Sequence, residues 1–248
     1  MAHVLVLGEE DPRAAAAVTA IRSGDVPGLR RLLAGDPRLA TARVVDDDGR
    51  TSRTLLHVVT DWPGHFPNGP ATVAALVAAG ADVNARFTGS HTETPLHWAA
   101  STDDVEVLDA LLDAGADIDA PGAVIGGGTP LDDATAFAQW RAARRLVERG
   151  ARTTLWHAAT LGLTNRLRGY FSGAATPPPA EVNAALWGAC HGGQQAAAAY
   201  LLDQGAEINW IPGWERLTPL DAAIRGGAFE LAGWLRDRAA VSAAELAG

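Results

Sequence analysis

Apolar residues fall in short blocks at helical spacing, and several blocks close in the same way. Val105, Val107, Leu108, Leu111 and Leu112 form one stripe, followed by Asp113-Ala114-Gly115-Ala116-Asp117. Leu146-Val147-Glu148-Arg149-Gly150-Ala151 and Leu201-Leu202-Asp203-Gln204-Gly205-Ala206-Glu207 repeat that ending. An apolar stripe stopped by Gly predicts an amphipathic helix with a left-handed cap. Ahead of each stripe lies a shorter, Ala-rich block that opens on Thr. The clearest are Thr94-Pro95-Leu96-His97-Trp98-Ala99-Ala100, Thr129-Pro130-Leu131-Asp132-Asp133-Ala134 and Thr218-Pro219-Leu220-Asp221-Ala222-Ala223. Weaker copies start at Thr54, Thr154 and Ala184. Thr caps a helix, and Pro in the first turn needs no donor. The pattern predicts a series of helix pairs, each unable to bury its apolar face alone.

The Thr-Pro-Leu-His-x-Ala run resembles the signature of the ankyrin repeat, whose units are about 33 residues long. The resemblance covers almost the whole chain. It implies an all-α solenoid of about seven helix-turn-helix units with irregular inserted loops. One domain is expected over 1–248, with units near 15–47, 54–86, 94–121, 129–153, 154–182, 184–213 and 218–240. It further implies a protein-binding module that uses a concave groove and loop tips. It gives His57, His97 and His157 a structural, hydrogen-bonding role between units.

The spacing departs from a plain repeat. Thr54 to Thr94 is 40 residues, Thr94 to Thr129 is 35 and Thr129 to Thr154 is 25. Unit two inserts Thr60-Asp61-Trp62-Pro63-Gly64-His65-Phe66-Pro67-Asn68-Gly69-Pro70 between its helices. Loops Arg86–Glu93 and Pro121–Gly128 precede units three and four. Long loops in a repeat array tend to map to one binding face. Aligned at Thr, the fifth position holds Val58, Trp98 and Asp133, and the eighth holds Asp61 and Ser101. These units sit about 8–10 Å apart by ordinary helix packing, so their groups are expected to share a pocket.

The expected constellation is Asp61, His65, His91, Glu93 and Asp133 as acid–base groups, with Trp62, Phe66, Asn68 and Trp98 as binding walls. A carboxylate beside an imidazole orients it and stabilises its charged form. Two readings stand. In one, these residues shape a groove for a protein partner. In the other, they form a metal-free pocket of a lyase, isomerase or hydrolase, or a small-molecule binder. No His-x-x-x-His or Glu-x-x-His spacing occurs, so no metal ligand set is assigned and no cofactor is implied. A second binding patch is expected from His191, Trp210, Trp214 and Arg225. Trp156 and Trp187 are expected in the core beside it. Arg141, Arg144, Arg145 and Arg149 are read as a solvated helix face, with Arg144 and Glu148 spaced to pair.

Composition narrows the field. The chain has 248 residues, 48% of them apolar, and a net charge of −9. That balance argues against binding nucleic acid or an acidic membrane surface. All twenty basic residues are Arg, which excludes a Schiff-base or P-loop lysine. The one Cys, Cys190, allows no internal disulfide and reads as an inert helix residue. The apolar start, Met1 to Gly8, is too short for a signal-peptide core. A cytoplasmic protein with a protein partner or small-molecule ligand is the expectation.

Overall fold

A computed structural model describes residues 4–173 and 176–247. Met1, Ala2 and His3, the beginning of the apolar start, lie outside the described residues, as do Ala174 and Ala175 of the fifth unit. The chain forms two compact units, Met1–Ala151 and Arg152–Gly248. No helix among the described residues is long and apolar enough to cross a membrane.

The first compact unit contains four helix pairs: α1 (Pro12–Ser23) with α2 (Val26–Gly35), α3 (Leu55–Thr60) with α4 (Gly69–Ala78), α5 (Pro95–Ser101) with α6 (Val105–Asp113), and α7 (Pro130–Ala136) with α8 (Trp140–Glu148). The first helices pack in the order α1–α3–α5–α7 and the second helices in the order α2–α4–α6–α8. Leu56, Leu96 and Leu131 from one row and Leu76, Leu108, Leu111 and Leu146 from the other are fully buried between them.

The fold is mainly helical as expected, but it is not purely α: a small three-stranded sheet accompanies the helices. β1 (Val6–Gly8) runs parallel to β2 (Arg43–Val45), which pairs antiparallel with β3 (Ser52–Arg53). These strands bury little beyond Leu7 and Val44. A strand of two or three residues is too short for its alternation to stand out from the flanking helical pattern.

The second compact unit contains three pairs: α9 (Leu155–Thr160) with α10 (Thr164–Gly169), α11 (Pro179–His191) with α12 (Gln195–Asp203), and α13 (Pro219–Arg225) with α14 (Phe229–Arg236). The residue that caps α11, Gly192, lies against the end of α9 at a distance only glycine permits. A Cβ on Gly192 would sit 1.9 Å from the Thr160 carbonyl oxygen. The short α15 (Ala243–Ala247) is tied to α13 through the Ala243 N–H, which donates to Asp221 at 2.8 Å.

One local device recurs at the helix starts. Thr54, Thr94, Thr129, Thr154 and Thr218 are N-caps, and the side chain three residues on accepts the cap's own N–H. In α3 and α5 that side chain is histidine. Thr54 N–H donates to His57 Nδ1 at 3.3 Å, and Thr94 N–H to His97 Nδ1 at 3.1 Å. Because Nδ1 accepts, the ring proton sits on Nε2. Nε2 of His57 donates to the Glu93 carbonyl at 3.1 Å, and Nε2 of His97 to the Gly128 carbonyl at 3.4 Å. Each ring therefore closes its own helix start and holds the loop that leads into the next pair. The hydrogen-bonding role expected for His57 and His97 is visible in these bonds, and His157 Nδ1 accepts the Thr154 N–H in the same way.

The basic stretch of α8 is not simply solvated. Arg145 and Arg149 both reach Asp109 of α6, at 2.8 and 2.6 Å, and Arg149 also meets Asp113 at 2.7 Å. Glu148 pairs with Arg145 at 3.1 Å, one residue from the expected partner Arg144.

His97→Ala strands a buried N–H and leaves a cavity, so it is expected to cost about 2–3 kcal/mol in urea unfolding. His97→Asn, which restores the acceptor for Thr94, is expected to recover part of that loss. Equal stability of wild type and His97→Ala would show that the ring holds nothing together.

Candidate functional site

The segment between α3 and α4 turns back on itself. Gly64 takes φ 74°, and a Cβ there would meet Thr102 Oγ1 at 2.8 Å. His65 and Asn68 also adopt left-handed backbone, with φ 56° and 58°. This path leaves Trp62 projecting, 81% exposed. Asn68 Nδ2 donates to the Gly24 carbonyl at 2.9 Å, which anchors the far end of the loop.

The loop before α5 is held by β3. Ser52 and Thr88 exchange backbone hydrogen bonds at 2.9 Å, and the Phe87 N–H donates to the Glu93 carbonyl at 2.7 Å. The ring of Phe87 then stacks on His91, centroids 4.5 Å apart. The loop before α7 turns at Gly122, Gly126 and Gly127, all with positive φ, and brings the Val124 N–H within 3.1 Å of Glu93 Oε1.

These three loops and the start of α8 border an open cleft of about 480 Å³. Its lining is Thr60, Asp61, Trp62, His91, Glu93, Trp98, Ser101, Thr102, Val124, Phe137 and Gln139. Asp61, Trp62, His91, Glu93 and Trp98 are thus brought together as expected from the loops. Asp133 lies behind the wall beside Glu93 and is fully buried. His65 is turned away, with Nε2 3.0 Å from the Thr102 carbonyl and its N–H on Asp104 at 2.8 Å. Asn68 serves the loop, and Phe66 is half-buried outside the lining.

Glu93 is the centre of the wall. Its carboxylate accepts Trp98 Nε1–H at 2.7 Å and the Val124 N–H. His91 Nδ1 lies 2.9 Å from Glu93 Oε2, at ion-pair distance rather than in hydrogen-bonding alignment. Among the described residues, neither oxygen of Asp133 has a hydrogen-bond partner in good geometry. Burial, then the neighbouring Glu93, raises the Asp133 carboxyl from the usual carboxylate range to about 9. It is therefore neutral near pH 7. Asp61 is held at the rim by Arg53 at 3.1 Å and Arg22 at 3.3 Å.

Sequence reasoning missed Thr102, Phe137 and Gln139, and the two arginines that occupy Asp61. A signal for the first two existed. Trp62, Thr102 and Phe137 all hold the ninth position of the aligned register, next to the eighth position of Asp61 and Ser101.

In the second compact unit the other aromatic patch forms a packed cluster. Trp156 and Trp187 stack at 5.9 Å, and Trp214 meets both edge-on at 6.3 Å. His191 stacks on Trp187 at 5.5 Å, and the Arg225 guanidinium lies 5.4 Å from the Trp187 ring centroid while pairing with Glu215 at 2.6 Å. Trp187 is buried, Trp210 half-buried, and Trp214 exposed. Cys190 is buried among apolar groups, which pushes its thiol up to about 12 and removes it as a nucleophile.

Residues 91–123 match the family model of the ankyrin repeat. No curated protein matches the chain. The matched segment carries His91, Glu93, Trp98, Ser101 and Thr102 of the cleft lining.

The buried groups set a pH profile. Burial lowers the folded-state pKa of His57 to about 3 and of His97 to about 4. An unfolded histidine titrates near 6.5, so acidification from about 6.5 protonates the unfolded chain first and stability falls. Asp133 works in the opposite sense. Its folded form keeps a proton that the unfolded chain releases above about 4, so stability also falls as pH rises toward 9. Two histidines outweigh one carboxyl on the acid side, and a stability maximum is expected near pH 6.5. Asp133→Asn should remove the decline between pH 6.5 and 8, a gain over wild type of about 2 kcal/mol across that interval. A variant whose stability declines with pH as steeply as wild type between 6.5 and 8 would mean that Asp133 is ionised in the fold.

Proposed function

We propose that the chain is a protein-binding module whose seven helix pairs are ankyrin-type repeats, and that the cleft of the first compact unit receives an extended segment of a partner protein. The observation that carries this is the position of the matched repeat: residues 91–123 contribute His91, Glu93, Trp98, Ser101 and Thr102 to the cleft lining. Exposed Trp62 and Phe137 border it, and exposed aromatic side chains are the usual anchors of protein recognition. Trp98 and Val124 extend the apolar surface inside. The loop tips and, separately, Trp210, Trp214, His191 and Arg225 of the second compact unit are further contact surfaces in this proposal. A lone buried cysteine suits a reducing, cytoplasmic setting.

The acid–base alternative draws no support from the geometry. His65 is engaged with Thr102 and Asp104 outside the cleft. Asp61 is engaged by two arginines, and Glu93 accepts two donors. His91 is stacked on Phe87 and faces Glu93.

Peptides selected from a random displayed library against the whole protein test the proposal. Those that bind are expected to lose about tenfold in affinity, roughly 1.4 kcal/mol, for Trp62→Ala and again for Phe137→Ala. Selected peptides that bind both variants as tightly as wild type would place recognition elsewhere on the molecule.

A further inference from the structure

Outside the cleft, one imidazole and two carboxylates meet where the inserted loop touches the start of α6. A ligating atom from each of His65, Asp104 and Glu106 lies within 4.8 Å of the other two. Asp104 is buried and fixed, since its Oδ1 accepts the Val107 N–H at 3.2 Å and its Oδ2 accepts the His65 N–H at 2.8 Å. His65 is fixed by its other nitrogen. Nε2 lies 3.0 Å from the Thr102 carbonyl, and a carbonyl only accepts, so Nε2 carries the proton. Nδ1 lies 4.0 Å from Asp104 Oδ1, beyond hydrogen-bond distance, and is the nitrogen that the neutral ring can offer a ligand.

That is the preparation a metal-ligating histidine needs: one ring nitrogen donates to a carbonyl and sets the tautomer, and the other is bare. The backbone is arranged for it as well. His65 sits at φ 56°, a conformation costing a non-glycine residue roughly 1–2 kcal/mol, and the bond from its N–H to Asp104 keeps it there.

We propose that His65 Nδ1, Asp104 and Glu106 bind a divalent transition metal ion of the zinc type, with water completing the shell. An imidazole with two carboxylates suits zinc, whereas magnesium and calcium favour oxygen-only sets. Bonds of about 2.0–2.2 Å require the three ligand atoms to draw in to roughly 3.5 Å of one another. The side chains that must move are the accessible ones, His65 and Glu106. Arg141, 3.7 Å from Glu106 across an exposed ion pair, is the competitor, and such pairs are weak. The bound ion would staple the Asp61–Asn68 loop to α6. This site is separate from the cleft and does not depend on what the cleft binds.

The test is calorimetric titration of zinc chloride into the chelator-stripped full chain, with thermal unfolding followed alongside. His65→Asn keeps a residue tolerant of left-handed backbone, and Glu106→Gln alters only an exposed head group, so both should fold, as circular dichroism will check. Asp104 is left intact because it caps α6. One saturable site per chain, a rise in Tm with zinc, and binding weakened at least about tenfold in each variant are expected. No saturable binding up to about 1 mM zinc, the weakest affinity worth calling a site, would overturn the proposal. Wild-type affinity in either folded variant would overturn it equally.

Discussion

Histidine neutrality at the helix starts is the constraint on which the first compact unit rests. An N–H of the capping threonine points at Nδ1 of His57 and of His97, so a proton on that atom would set two donors face to face. The remaining ring proton is committed to a carbonyl 31 or more residues away, at Gly128 or Glu93. One side chain thus fixes a local helix boundary and a distant loop together. Burial enforces the arrangement, because a charged imidazole in that position would lose its hydration. In both compact units the last helix pair carries Asp at this slot, Asp132 in α7 and Asp221 in α13. A carboxylate accepts the cap N–H as well as histidine does, yet it has no proton to give a following carbonyl. Asp221 instead takes the Ala243 N–H of the chain's closing helix.

The cleft follows from this lock. Glu93 is the residue whose carbonyl His57 grips, and the same residue's side chain faces the cleft. Its backbone position is therefore set from one side by α3 and from the other by Phe87. The carboxylate then organises what surrounds it, drawing in the Trp98 indole and the Val124 amide. Inserted loops with positive-φ turns do the rest, since a regular connection would not carry Trp62 or Val124 to the same opening.

Much of this was legible in the residues. The Thr-Pro-Leu blocks, the apolar pairs and the terminal Gly mark helix starts and stops, because capping and periodicity act over a few residues and leave local signatures. The unusual loops also announced themselves by length and by their Trp, His and Gly content. What stayed hidden was non-local. Nothing near Asp61 in the chain reveals that Arg22, 39 residues earlier, shares it with Arg53. The direction of His65 depends on a carbonyl 37 residues later. The sheet was invisible because its strands are short and draw their stability from pairing with one another and with the Phe87–Glu93 loop, not from a pattern of their own.

Asp133 is the point where the unit departs from its own rule. The same register position holds Val58 in α3 and Trp98 in α5, and an apolar residue there would cost nothing to bury. With the proton retained on Asp133, the pair behind the cleft wall carries less charge than two carboxylates imply. Asp61 at the rim is offset by Arg22 and Arg53. The opening is consequently far less acidic than its count of Asp and Glu suggests. A ligand entering it meets indole, phenyl and valine surface before it meets a free charge, so contact area rather than ion pairing would dominate its affinity. Such a surface suits a peptide side chain better than a small charged metabolite, whose binding would need the polar groups that this wall has already committed to itself.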